Sequence, residues 1–167
     1  MELTLDSTEE IAAQKATPLD VVEAEMFKHP QVHCPLTHRF TPGMYIREIF
    51  MPAGTVVSTA LHKTEHPFVI SKGDVSVWRD GFPVERLKAP HTGITKPGTR
   101  RLIYIHKDTI WITFHITDKT DPDEIAKDIA DLDPNPLLSE EDLRRSAWQK
   151  DWKGEVEIPE EIIHALP

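Results

Sequence analysis

Two histidines four residues apart, His62 and His66, lie in the stretch Gly54 to Gly73, GTVVSTALHKTEHPFVISKG. Imidazole nitrogen ligates Zn, Fe, Ni or Cu, and a working metal site needs three or four ligands. If Val56–His62 runs as a strand, alternate residues share a face. Val56, Ser58, Ala60 and His62 then point one way, and on the following strand His66, Phe68 and Ile70 share a face. Two imidazoles entering one interior from adjacent strands would make a metal pair; the same spacing equally suits two polar residues flanking a turn. Glu65, inside that turn, is a further candidate ligand. Arg101, in TKPGTRRLIYIH, offers the opposite chemistry. A guanidinium is permanently charged, repels a divalent cation and grips carboxylate or phosphate. The other reading of Arg101 is an exposed or tail-paired arginine. No Ser-His-Asp order is legible, and seven glycines in all leave no phosphate-cradling loop.

Positioning such residues falls to the middle of the chain. Apolar segments of five to nine residues recur there: Met44–Met51, Val56–His62, His66–Ser71, Val75–Trp78, Arg86–Ala89, Arg100–His106 and Ile110–Thr117. Turn signals separate them, including Pro52-Ala53-Gly54, Lys72-Gly73-Asp74, Asp80-Gly81 and Pro97-Gly98. Short β-rich segments at near-regular spacing predict a sandwich or barrel. With Arg101 inward, Ile103 and Ile105 follow it and His106 points out, so His106 is no third ligand. Taking Ile110–Thr117 as a separate strand puts Ile110, Ile112, Phe114 and Ile116 inside and Trp111, Thr113 and His115 outside. Trp78, Trp111 and Tyr104 would then give the barrel an adhesive outer face.

Helical patterns flank this region. Thr17-Pro18 is an N-cap followed by proline at the first helical position, and His29-Pro30 ends the run. Asp121-Pro122 opens a helix with Ile125, Ile129 and Leu132 on one stripe, Ser139–Asp142 caps another reaching about Trp148, and Val156–Pro167 carries further apolar residues. The expected organisation is an acidic helical arm (1–30), a β-barrel (31–118) and an acidic helical tail (119–167). The charges divide the same way: two Lys or Arg against seven Asp or Glu in the arm, eleven against seven in the barrel, six against fourteen in the tail. Acidic tails are either solvated or docked on a basic surface.

No basic stripe with interleaved aromatics indicates nucleic-acid binding. No apolar run approaches the roughly 20 residues of a membrane helix, and the start MELTLDSTEE lacks the order of a signal peptide. A single cysteine, Cys34, excludes an internal disulfide and a cysteine zinc cluster. The expected location is cytoplasmic.

The spacing around His62 resembles the first motif of the cupin superfamily: a glycine, five residues, a His-x-His pair, a glutamate and a second glycine. Gly54 and Gly73 match the glycines and His62 the second histidine; His66 stands at the glutamate and Ala60 at the first histidine. Lys96-Pro97-Gly98-Thr99-Arg100-Arg101 resembles the second motif, with Arg101 at its histidine. The resemblance implies a single double-stranded β-helix, the cupin jelly roll, over about 31–118, with short helical extensions. It implies a metal site that has lost two ligands and keeps His62 and His66, for one divalent transition metal (Zn, Fe, Ni or Mn) or none. Ser58, Ala60, Phe68 and Arg101 would line the ligand pocket. Wording such as HKTEHPFVISKG is similar to cupin-like proteins encoded in bacteriophage genomes, which implies a virion location. The function implied is a binding or assembly module that forms a homo-oligomer or larger assembly through its tails and outer face. Two alternatives stand beside it: a metal-dependent dioxygenase, isomerase or lyase, and a sensor barrel holding an organic anion on Arg101.

Overall fold

The computed structural model describes residues 16–131 and 135–139. They fall into two units. In the first (residues 16–33 and 135–139), helix α1 spans Pro18–Met26. Thr17 caps it: its hydroxyl accepts from Asp20 N at 3.2 Å and its own N–H donates to Asp20 Oδ2 at 2.9 Å, the reciprocal box that satisfies two orphan helix donors. Asn135, buried, donates to the Asp20 carbonyl (2.7 Å) and to Glu23 Oε2 (2.9 Å), tying a turn of the later chain to this helix.

The second unit holds the sheet: β1 Leu36–Thr41, β2 Met44–Met51, β3 Val56–Ser58, β4 Leu61–His62, β5 His66–Trp78, β6 Glu85–Lys88, β7 His91–Thr95, β8 Leu102–Ile116, then helix α2 Pro122–Ile129 and β9 Ala130–Asp131. All pairings are antiparallel. The order β1-β2-β8-β5-β6 is joined by β3 on β8 and β7 on β5, and β4 pairs with β9 in a separate ribbon. The fold is mainly β with short helices, as the turn-punctuated apolar segments predict. Among the described residues no helix is long and apolar enough to cross a membrane.

Two long strands organise the unit. The first half of β5 pairs with β7 and the end of β8, and its second half with β6 and the start of β8. The register shifts between Ile70 and Val75, where a bulge bends the strand and re-aims its side chains. His66, Phe68 and Ile70 are buried before it, Val75 and Val77 after it, so the inward parity flips. The core joins both halves, with Phe68, Ile70 and Trp111 packing with Val75, Val77 and Ile105.

Strand β8 has no such flip, and this corrects the expectation for its second half. Lys107 and Asp108 are exposed but do not end the strand. The buried set is odd-numbered on both sides of that exposed pair: Ile103 and Ile105 before it, Thr109, Trp111, Thr113 and His115 after it, while Ile116 is 90% exposed. Ile110, Ile112 and Phe114 take the other face. Trp111 therefore belongs to the core and not to an outer aromatic surface; Trp78 and Tyr104 remain half-buried on the outer face. The polar pair Lys107-Asp108 imitates a turn because both side chains are solvated, with Asp108 Oδ1 accepting from Ala53 N at 2.9 Å.

Residues 119–131 belong to the same unit as the sheet. Ile125 of α2 is fully buried, and β9 pairs Ala130 with His62. Leu132, Ser139–Trp148 beyond residue 139 and Val156–Pro167 lie outside the described residues.

Gly73 sits in the bulge at φ +116°, and a Cβ there would collide with the backbone and side chain of Thr109. Gly43 also has positive φ, +77°, but faces open space. Gly43→Ala is expected to cost about 1 kcal/mol of strain, and Gly73→Ala about 2–4 kcal/mol, because overpacking adds to strain. Urea midpoints of the two variants check this; equal losses would show that the bulge does not need the close approach.

Candidate functional site

His62, His66 and His115 meet in the interior of the second unit. The ring centroids of His62 and His66 are 4.9 Å apart, and those of His66 and His115 are 4.4 Å apart. The first two enter from β4 and β5. His62 is fixed by its backbone, which donates to Thr99 O (2.9 Å) and accepts from Gly98 N (2.7 Å), while β9 holds the other edge. His115 enters from β8 opposite Tyr45 of β2 and stacks on it at 5.8 Å.

Hydrogen bonds orient two of these rings. His66 Nδ1 lies 3.1 Å from the Thr64 carbonyl, which only accepts, so Nδ1 carries the proton. His115 Nε2 lies 2.9 Å from Thr113 Oγ1, and that hydroxyl donates to Arg47 O at 3.5 Å. The His115 proton is thus on Nε2. His66 Nε2, His115 Nδ1 and His62 Nδ1 are left buried without a hydrogen-bond partner, and the first two carry lone pairs.

Arg101 is 8% exposed. Its Nη2 donates to Thr95 Oγ1 at 3.1 Å, and the guanidinium carbon lies 5.5 Å from the Phe68 ring and 5.9 Å from that of Trp111, a cation over two aromatic faces. Among the described residues no carboxylate pairs with it. Burial, helped by repulsion from Arg79, lowers its pKa to about 10, with Glu85 opposing only through space; it remains a cation at neutral pH. Arg47 shares the inward face of β2 with Tyr45 and sits opposite Thr113. Burial lowers its pKa too. Acids within reach along the sheet are taken up elsewhere: Glu48 by Arg39 at 3.2 Å, and Glu65 by Lys96 at 2.9 Å.

Of the residues singled out by sequence, the structure brings together His62, His66, Phe68 and Arg101. Glu65 is an exposed surface partner of Lys96 and does not join them. Ser58 is half-buried and shares its face of β3 with the buried Val56. Ala60 is exposed in the break between β3 and β4. That break cancels the alternation that placed both beside His62. Arg47, Thr95 and His115 were missed. Counting β8 as one strand from Arg101 would have found His115, and alternation from Tyr45 to Met51 would have found Arg47.

The resemblance to cupins implies a metal here, and the donor set does not fit one. Three imidazoles are present, but among the described residues no group of three or more His, Cys, Asp or Glu is arranged to hold a metal ion. Two guanidiniums act on His62 from nearby, where a dication would be repelled.

No family model and no curated protein matches the sequence. Solved structures with a similar fold include KdgF from Halomonas sp. (13% identity, TM-score 0.46, 57% of this chain and 87% of that one). An acetylacetone dioxygenase from Acinetobacter johnsonii is similar at 14% identity and TM-score 0.44, covering 53% of this chain and 63% of that one. A cupin-2 domain protein from Shewanella frigidimarina is similar at 8% identity and TM-score 0.42, covering 57% and 91%.

Burial is the main cause that lowers the pKa of His62 to about 4 and of His115 to about 3, with the neighbouring histidines and Arg47 adding to it; Arg101 adds to it at His62. His66 is lowered in the same sense. The unfolded chain takes up these protons below about pH 6.5, and the folded chain takes them up only near pH 4 and 3. Stability is therefore full above pH 6.5 and declines as the pH falls toward 3. Thermal midpoints between pH 7.5 and 3.5 should show this fall, with a shallower slope in His115→Asn. A flat profile in the native chain would contradict neutral, desolvated rings.

Proposed function

We propose that this unit is a cupin-type binding module whose interior takes a small organic anion on Arg101. The buried guanidinium, with no carboxylate partner among the described residues, carries the reading. A desolvated charge left unpaired costs several kcal/mol, and a bound anion recovers part of that cost through charge-assisted hydrogen bonds. Thr95 orients the fork, Phe68 and Trp111 flank it, and His62 and His66, on which it acts, are imidazoles held neutral at pH 7. Binding, rather than turnover, suits a site whose histidines are poor proton acceptors at that pH.

Calorimetric titration with lactate and with inorganic phosphate tests this. Binding of either should weaken at least about tenfold in Arg101→Gln, the loss expected for one charge-assisted contact. Arg101→Met should fold and melt higher than the native chain, because an apolar side chain removes the unpaired buried charge. Absence of binding by both anions, or equal binding by Arg101→Gln, would overturn the proposal.

An assembly role belongs to the same reading. The resemblance to phage-encoded cupin-like proteins and the half-buried Trp78 and Tyr104 on the outer face support it, with placement in a phage particle as its most specific form. Mass measurement of the full chain in solution should give a dimer or larger species; a strict monomer at micromolar concentration would remove this part.

A further inference from the structure

The anion reading leaves three features unused: a second unpaired guanidinium, and two imidazole nitrogens with lone pairs and no donor. Arg47 projects from the inward face of β2, one residue pair from His115. No hydrogen bond or ion pair engages its guanidinium among the described residues, and its chain neighbour Glu48 is paired with Arg39. Arg101 acts on His62 and His66 and is anchored on Thr95 of β7. Arg47 lies on β2 beside the second half of β8, while Arg101 immediately precedes the start of β8, so the two cations come from opposite ends of that strand. Both act on the His62 ring. His66 Nε2 and His115 Nδ1 belong to rings 4.4 Å apart in the same histidine cluster.

Each feature asks for a chemical complement. Two separated guanidiniums ask for two negative groups, since one carboxylate held by Arg101 would leave Arg47 unpaired. Buried lone pairs ask for a hydrogen-bond donor, because a buried acceptor without one is costly. A ligand with carboxylates at its ends and a hydroxyl between them meets both demands: the carboxylates meet Arg101 and Arg47, and the hydroxyl donates to His66 or His115.

Resting on the anion reading, we propose that the site is selective for a small dicarboxylate carrying a hydroxyl group. Arg47 is the selectivity residue: it recognises the second carboxylate and leaves binding of a monocarboxylate to Arg101. The two imidazoles read the hydroxyl through the tautomers fixed by Thr64 and Thr113.

Three probes separate the contributions: lactate has one carboxylate and a hydroxyl, succinate has two carboxylates and no hydroxyl, and malate has both. Calorimetric titration of the full chain at pH 7.5 should show malate binding at least about tenfold tighter than either of the others, one charge-assisted or one buried hydrogen bond being worth about that factor. Arg47→Gln should weaken malate at least about tenfold more than it weakens lactate. Thermal midpoints of each variant without ligand establish that it is folded. Malate binding no tighter than lactate, or Arg47→Gln weakening both equally, would overturn the selectivity while Arg101-dependent lactate binding keeps the anion reading. Malate no tighter than succinate would overturn the role of the imidazoles. Phosphate bound tighter than malate, with loss in both arginine variants, would replace the two-carboxylate ligand by a single dianionic group. No binding by any probe would remove both this inference and the reading beneath it.

Discussion

Strand β8 is the constraint on which the rest of this unit depends. It pairs with β2, β3 and β5, and no other strand crosses from one half of the core to the other without breaking its parity. Because its buried set is odd-numbered on both sides of Lys107-Asp108, one strand supplies the hydrophobic floor at Ile105 and Trp111 and the polar wall at Thr113 and His115. Strand β5 must therefore make the adjustment. Its bulge at Gly73 turns the inward set from even to odd, so His66 and Phe68 face the site while Val75 and Val77 face the core. The glycine that permits this close approach to Thr109 is as much a part of the site as the side chains are.

The site itself is a balance of desolvation against partnership. Phe68 and Trp111 exclude water from Arg101, and that exclusion is what gives a single opposing charge its value there. The same exclusion keeps the imidazoles neutral, so the histidines contribute dipoles and lone pairs instead of further positive charge. Were they protonated together, five cationic groups would share one interior. The low proton affinity of the rings is thus a condition for the two arginines to coexist with them. The stability lost on acidification is the other face of that condition.

Much of this was legible in the sequence. The β character followed from short apolar segments set apart by proline and glycine, and the cap at Thr17 followed from the proline after it. The grouping of His62, His66 and Arg101 came from the resemblance to the two cupin motifs, in which all three stand at ligand positions. What escaped depended on knowing where a strand ends. Lys107-Asp108 carries the polarity of a turn but not its geometry, and reading it as a break turned His115 and Trp111 outward. The opposite error befell Ser58 and Ala60, where a real break at Thr59–Ala60 looked like continuous strand. Arg47 was hidden for a different reason: a cation in the run MYIREIFM reads as an outward residue, since burying one is costly unless something meets it.

The pairing of His62 with Ala130 has a consequence for where this protein can be cut. The last long strand ends at Ile116, and a fragment closed there would contain every member of the large sheet. It would still lack the short ribbon that backs β4 and the helix that delivers it, leaving a site residue on an unsupported edge. The smallest piece that keeps the support of His62 is therefore defined by that imidazole and not by the outline of the sheet. A domain boundary drawn from strand content alone would fall about fifteen residues too early.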